Sequence, residues 1–251
     1  MNAVVETKRA WWARAVLYGG IASVALPLVG ALGTRFGIWG LVGLAIFAVG
    51  ALLALISLVW GVIAGIIVLA RRRTADRRPV IVGTIAAAVM ISVIGPQFAA
   101  GRSVPPIHDI TTDTADVPMF DDVVVKLRSA PGINPLDYDA AKLPPLQKAA
   151  YPNVVPLDLT AQPSAAFDTV ASVLPTLGLQ VVQADRNAMI VEAVATSFWF
   201  GFKDDVVVRI RPTETGSRID VRSVSRVGVG DVGVNAKRIA KILDAIKAKS
   251  A

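Results

Sequence analysis

Charged and hydroxyl-bearing side chains that could support chemistry are concentrated toward the C-terminal end of the chain. This set, which we call the polar edge, consists of Asp204, Asp205, Arg222, Ser223, Ser225, Arg226, Asp231, Asn235 and Arg238. If strand ends and a helix N-terminus gather these groups, a carboxylate could act as a base and the guanidinium groups could bind an anion. The sequence leaves a second interpretation open, a structural network of ion pairs in which Asp231 or Asn235 caps the final helix.

A second polar group, the 108–113 motif, lies far upstream and consists of His108, Asp109, Thr111, Thr112 and Asp113. It opens an acidic run that continues to Asp122, and carboxylate oxygens are the ligands that calcium and magnesium prefer. The spacing fits no EF-hand loop, because the required glycine and terminal glutamate are missing. We therefore predict a solvated, turn-forming segment and no metal site, and we expect His108 to make a polar contact rather than act as a base.

Several classes of chemistry lack the residues that they need. The chain has no cysteine and one histidine, which excludes thiolate catalysis, zinc–thiolate sites and iron–sulfur clusters. A nucleophile-elbow serine hydrolase is excluded because no G-x-S-x-G motif is present. Gly228, Gly230 and Gly233 match G-x-G-x-x-G, but no parallel strand follows the helix and no acidic residue occupies the ribose position. We therefore predict no cofactor and expect these glycines to orient the last helix.

The first part of the chain is dominated by apolar runs. Hydrophobic residues make up 54% of the 251 positions, and the excess falls into three long stretches. We predict transmembrane helices at about residues 11–32, 38–70 and 80–100, within a membrane region of residues 1–102. Ionisable residues are absent from the middle of these runs, which argues against transport. For the first run, a retained helix is favoured over a signal peptide because no clear small-residue cleavage site follows it.

Gly61 and Gly65 have the G-x-x-x-G spacing that lets two transmembrane helices approach closely. Packing within one chain is the simpler explanation, and association between copies of the chain is the alternative. The sequence therefore permits an oligomer through these glycines without requiring one.

The basic residues predict the orientation in the membrane. Residues 1–102 hold ten Lys and Arg and two acidic residues, whereas the remainder holds 16 and 17. Five arginines lie in the segment RRRTADRR at residues 71–78, between the second and third runs. Short loops rich in Lys and Arg stay in the cytoplasm. We therefore predict a bacterial inner-membrane protein with a cytoplasmic N-terminus and a periplasmic C-terminal domain, and no nucleic-acid binding.

The residues after the membrane region divide into two parts. Residues 103–153 form a proline-rich, acidic arm in which only Val123–Leu127 resembles a strand, and the charges favour its lying across the more basic remainder. Residues 154–251 show the order β-α-β-β-β-β-α, with an aromatic segment, Ser197–Phe202, that we expect to fill the core. The fold class is therefore α+β, a three-helix transmembrane region followed by an antiparallel-sheet domain covered on one face by helices. A hairpin at Thr213–Gly216 would place Arg209 opposite Asp220.

The polar residues also carry a likeness to a known family of bacteria and plastids. FKDDVVVRI at residues 202–210, VRSVSRVGVGDVGVNAKRI at 221–239 and IHDITTD at 107–113 resemble the family called domain of unknown function 1499. The likeness covers about residues 105–248. The likeness implies no particular activity, but it makes the 108–113 motif and the polar edge stronger candidates for a functional site than other surface residues.

The leading hypothesis is a non-catalytic envelope protein whose outer domain binds a partner or an apolar or anionic small ligand near the membrane surface. This hypothesis depends on the absence of a complete set of catalytic residues. The alternative is a membrane-anchored hydrolase or lipid-modifying enzyme with Asp204 or Asp205 as base and Arg222 or Arg226 as anion clamp. A deep pocket joining these residues favours the enzyme, whereas a fully paired edge favours the binding protein.

Overall fold

The computed structural model describes residues 9–130 and 132–250. Their internal contacts divide the chain into two compact units. The membrane unit extends to Ala99 and also includes Trp199–Gly201, and the outer unit contains the other residues from Ala100 onward.

Three described helices of the membrane unit are long and apolar enough to cross a membrane: α1 (Trp11–Arg35), α2 (Val42–Ala70) and α3 (Thr74–Arg102). The predicted membrane anchor is therefore confirmed. α3 begins earlier than predicted, so Pro79 lies inside the helix rather than in its first turn. Asp76 explains the earlier start, because a carboxylate in the first turn interacts favourably with the helix dipole.

The helices of the membrane unit are packed through small residues. Gly20, Ser23, Ala54, Ser57 and Gly61 are buried, whereas large side chains such as Leu52, Leu55, Ile66 and Leu69 are exposed. Lipid solvates leucine and isoleucine well, so association in a bilayer depends on close backbone approach rather than on burial of large apolar groups. The distribution of side chains therefore matches a lipid environment.

The outer unit is built on an antiparallel sheet. The strands are β1 (Asp109–Thr111), β2 (Leu157–Leu159), β3 (Gln180–Asp185), β4 (Ile190–Thr196), β5 (Lys203–Thr213) and β6 (Gly216–Ser225), and the helices are α4 (Asp122–Leu127), α5 (Leu143–Ala150), α6 (Pro163–Thr176) and α7 (Val234–Ser250). The strand order is β1-β6-β5-β4-β3, and β2 also pairs with β6. Arg209 lies opposite Asp220 and Ile210 opposite Ile219, which confirms the predicted hairpin.

One face of the sheet packs against α6 and α7 and forms the hydrophobic core. Phe167 and Leu174 of α6, Val208 of β5 and Ile239 and Ile242 of α7 are all buried there. We call this the helix side. It confirms the predicted α+β class, with helices over one face of an antiparallel sheet.

The arm covers the opposite face, which we call the arm side. Residues 122–127 form the helix α4, so the predicted strand is wrong. Three consecutive valines favour a strand by propensity, but propensity depends on context. In the structure Val124 is fully buried, and α4 contacts β3. The strand β1 and the helix α5 were not predicted. The Gln147 side chain of α5 donates to the carbonyl of Thr111 and accepts from its N–H at 2.6 and 3.0 Å, so it pairs with the outer edge of β1.

The prediction that the aromatic segment Ser197–Phe202 fills the core is wrong. The segment forms the turn between β4 and β5, and the Phe198 and Trp199 side chains are 73% and 54% exposed. The turn lies between the last paired residues of the two strands, Thr196 and Lys203, and Trp199–Gly201 group with the membrane unit.

Candidate functional site

The polar edge occupies one end of the sheet but is divided between its two faces. Successive side chains of a strand point to opposite faces, so Asp204 lies on the helix side and Asp205 on the arm side. Ser223, Ser225, Asn235 and Arg238 accompany Asp204, whereas Arg222 and Arg226 accompany Asp205. The sheet itself therefore separates the two carboxylates that the sequence presented as neighbours.

On the arm side, the Asp205 carboxylate is fully buried between two guanidinium groups. Arg226 donates from Nη2 to Oδ1 at 2.7 Å and from Nε to Oδ2 at 2.9 Å. Arg128, which follows α4, donates from Nη1 to the same Oδ2 and from Nη2 to the Asn134 carbonyl at 2.6 Å. This ion triad joins the arm to the sheet.

Arg222 forms a second buried pair with Asp109 of the 108–113 motif. Its Nε and Nη2 donate to the two carboxylate oxygens at 3.0 and 2.7 Å, and the remaining donors reach arm carbonyls. Phe120 and Tyr138 enclose the guanidinium, with ring centroids at 5.4 and 5.5 Å. Burial, with the nearby Asp109 charge, raises the pKa of the Tyr138 hydroxyl to about 12. All three guanidinium nitrogens of Arg222 therefore donate hydrogen bonds within the fold.

Thr112 and Asp113 of the 108–113 motif also make contacts within the fold. Thr112 accepts from and donates to Val221 of β6, with both distances 2.9 Å. Asp113 pairs with Arg211 at 3.0 Å and accepts main-chain N–H bonds from Ala115 and Asp116. Burial opposes ionisation of Asp113, but these N–H groups and the arginine hold its pKa below the ordinary value. Asp113 of the arm is thus paired with a basic residue of β5.

On the helix side, Asn235 of α7 connects the remaining members of the polar edge. Its Nδ2 donates to the Ser225 hydroxyl at 2.9 Å and to the His108 carbonyl at 3.0 Å, and its Oδ1 accepts from Ser223 at 2.7 Å. Arg238 donates to Ser223 at 3.0 Å and to Asp204 at 2.6 Å. The network fixes the first turns of α7 on the sheet.

Asp231 caps this end of α7, as one interpretation of the sequence predicted. Its two oxygens accept from the N–H groups of Gly233 and Asn235 at 2.9 and 2.6 Å. Burial raises the pKa of Asp231, although these two N–H groups partly offset the effect. Gly228 and Gly233 have φ of +94° and +78°, so the glycines serve the turn into the helix.

Glu192 is a buried acid that the sequence did not single out. It lies on the arm side of β4, directly opposite Gln183 of β3, and its side chain is fully buried. Oε1 accepts from the N–H of Asp121 at 2.6 Å, whereas Oε2 and the Oε1 of Gln183 lack partners in the described part of the chain. Burial, together with the charges of Asp121 and Asp205, raises the pKa of Glu192 to about 7.

This arrangement predicts a pH-dependent stability that Glu192 controls. A folded-state pKa above the ordinary 4.5 means that the contribution of Glu192 is complete below pH 4.5 and is lost as the pH rises through about 7. We expect Glu192→Gln to raise the free energy of unfolding of the outer unit at pH 8–9 by on the order of 3 kcal/mol relative to the wild type. Urea unfolding of the full chain in micelles, followed by pulse proteolysis, measures this difference.

Glu214 provides the matched control because it is exposed in the β5–β6 turn. Glu214→Gln removes the same charge, and its free energy of unfolding should follow that of the wild type at every pH. A Glu192→Gln variant that parallels the wild type between pH 5 and 9 contradicts the prediction.

A cleft next to α7 is the other feature that sequence reasoning missed. Its volume is about 420 Å³, and it lies between α7, the α6–β3 turn and the end of β4. The lining residues are Leu177, Gly178, Leu179, Ala195, Thr196, Val234, Lys237, Arg238, Lys241 and Ile242. The available signal was the spacing of Lys237 and Lys241, which lie four residues apart in a helical segment.

Potential metal ligands do not converge within residues 9–130 and 132–250, where no group of three or more histidine or carboxylate side chains is placed to hold an ion. The arm carboxylates instead contact arginines. Asp116, for example, pairs with Arg209 and Arg211 at 3.2 and 2.7 Å.

The architecture defines a class of protein, a three-helix membrane anchor joined to an α+β domain with ion pairs buried beneath an arm. The family described as protein of unknown function (DUF1499) matches residues 109–246, and the chain belongs to this family. The matched segment begins at Asp109, the partner of Arg222, and includes the whole polar edge. No curated protein matches the chain.

Proposed function

We propose that the chain is a multi-pass protein of the bacterial cytoplasmic membrane whose outer domain lies on the extracytoplasmic side and binds a partner or small ligand without catalysing a reaction. Residues 103–153 act as the arm of this domain, and residues 154–251 form its α+β body. In a host with two membranes the domain lies in the periplasm.

The location is supported by the basic segment at residues 71–78, which joins α2 to α3 and includes the beginning of α3. Arg71, Arg72, Arg77 and Arg78 are exposed at this end of the membrane unit, where guanidinium groups can contact headgroups and water. A chain that turns there in the cytoplasm and crosses once more emerges on the other side after α3.

The full pairing of the polar edge carries the non-catalytic part of the proposal. Asp204 is bound by Arg238, Asp205 by two arginines, and Asp231 by two main-chain N–H groups. A general base needs a lone pair within reach of substrate. These carboxylates use their oxygens inside the fold, and the sheet separates Asp204 from Asp205, so the hydrolase alternative lacks a shared site.

Native mass spectrometry of the full chain, extracted from bacterial membranes in mild detergent, tests the proposal. We expect a non-covalent adduct of defined mass that persists unchanged during hours of incubation, because a binding protein retains its ligand. An adduct that is replaced by hydrolysis products, or a chain that never carries an adduct, contradicts the proposal.

The same strain provides the control for location. A phosphatase fused to the C-terminus must be active in whole cells, because this enzyme folds only outside the cytoplasm. An inactive phosphatase fusion alongside a bright cytoplasmic fluorescent fusion contradicts the proposed orientation.

A further inference from the structure

The cleft next to α7 combines cations with an apolar wall. Lys237 and Lys241 lie four residues apart on one face of the helix, and both are exposed. In the described part of the chain, neither lysine takes part in an ion pair. Leu179 and Ile242 form the buried floor, while Leu177 remains 38% exposed at the rim.

The cations lie on the first turns of α7. The helix begins at Val234, so Lys237 and Arg238 are near its N-terminal end. Asp231 already places a carboxylate there, because it accepts from the N–H groups of Gly233 and Asn235. The attraction of the cleft for an anion therefore comes from the lysine side chains rather than from the helix terminus.

Arg238 makes part of this positive surface rigid. Its guanidinium is held by Asp204 at 2.6 Å and Ser223 at 3.0 Å, and its side chain is only 14% exposed. Asp204 neutralises its charge, so the net positive charge at the cleft comes from the two lysines. The immobilised Arg238 guanidinium and the two exposed lysines together form the polar end of the cleft.

We propose that this cleft binds an amphiphile that has an anionic head, a phosphate or carboxylate, and an apolar tail. The head lies between Lys237 and Lys241, and the tail lies against Leu179 and Ile242. A volume of about 420 Å³ falls within the roughly 300–1,000 Å³ typical of small-ligand sites. The inference rests on the proposed function, of which it names the ligand class.

The absence of cysteine allows a direct measurement of binding. Thr196→Cys places a single thiol at the exposed rim of the cleft, where an environment-sensitive fluorophore can be attached. The labelled full chain in phosphatidylcholine nanodiscs is titrated with dodecyl phosphate, dodecanol or inorganic phosphate. We expect saturable binding of dodecyl phosphate, and affinities weaker by at least about tenfold for the other two probes, because each lacks one half of the recognised chemistry.

Paired lysine variants separate the cleft from general electrostatic attraction. Lys237→Gln with Lys241→Gln should weaken dodecyl phosphate binding by about tenfold or more. Lys148→Gln with Lys247→Gln removes the same charge from exposed positions outside the cleft and should leave the affinity unchanged. Equal losses in both double variants, equal affinity for dodecanol or for inorganic phosphate, or no saturation overturns the proposal.

Nanodiscs that contain phosphatidylglycerol identify the source of the ligand. A full fluorescence response without added probe indicates a bilayer lipid, and a response only to dodecyl phosphate indicates a free amphiphile; both outcomes support the site. Failure of this proposal is distinguishable from failure of the proposed function. If the chain with Lys237→Gln and Lys241→Gln retains the adduct seen by native mass spectrometry, the proposed function still holds. The proposed binding site in the cleft is then refuted.

Discussion

Replacing Asp205 by alanine is expected to lower the free energy of unfolding of the outer unit by about 3–5 kcal/mol. The substitution leaves the guanidinium groups of Arg128 and Arg226 without their carboxylate, and the Asp205 site is fully buried. Desolvated, unpaired charges are among the most destabilising lesions in a protein. Urea unfolding of the full chain in micelles, followed by pulse proteolysis, measures the loss.

Asp158 provides a matched control, because it forms a similar ion pair in water. Its carboxylate contacts Arg218 at 2.7 Å, and the two side chains are 62% and 43% exposed. Asp158→Ala should cost no more than about 1 kcal/mol, since water replaces the lost partner. Similar losses of unfolding free energy for the two alanine variants would show that water reaches the ion triad of Asp205, Arg128 and Arg226. That result would remove the main argument against catalysis there.

The Asp205 triad also explains how an arm with little regular structure is held in place. Buried ion pairs contribute modest net stability, but they allow only arrangements in which every charge meets its partner. Arg128 belongs to the arm, whereas Asp205 lies in β5 and Arg226 directly follows β6, so the triad fixes the arm relative to the sheet. The buried ion pair of Arg222 and Asp109 imposes the same kind of constraint at β1. The arm side is thus a polar core that complements the hydrophobic core on the helix side.

The sequence predicted the helix side better than the arm side. The spacing of Ile239, Ile242 and Ile246 follows the helical period, and all three are buried. β5 gave less information, because Val206, Val207 and Val208 are all buried and the usual alternation is absent. A strand covered on both faces has no exposed side to produce a period of two.

The candidate residues were found, but their grouping was not predicted. Asp204 and Asp205 are adjacent in sequence, and only the pairing of β5 with β6 assigns each to a face. Glu192 and Arg128 gave no signal, because a single charge in an apolar or irregular segment does not reveal a distant partner. Their contacts span 71 and 77 positions of the chain, respectively. Such contacts depend on tertiary structure that residue spacing does not encode.

Glycine substitutions in the membrane unit have the second large expected effect. A Cβ on Gly83 would lie 2.2 Å from the carbonyl oxygen of Val16, so α1 and α3 cross through direct backbone contact. Main-chain atoms at a helix crossing cannot rotate away as a side chain can. Gly83→Leu is therefore expected to cost more than about 3 kcal/mol and to abolish monodisperse protein after extraction, as measured by size-exclusion chromatography and thermal unfolding in detergent.

Gly65→Leu is the control, because a Cβ there meets nothing within 4 Å. Both variants gain the same intrinsic helix propensity, so the difference between them reports packing alone. The control also separates the two roles considered for the G-x-x-x-G pair. Gly61 packs within the chain, where its added Cβ would meet the Thr84 hydroxyl at 2.1 Å, so Gly65 is the position open to another copy. Crosslinked dimers that disappear in a well-folded Gly65→Leu variant would establish association through this face, whereas unchanged crosslinking would exclude it.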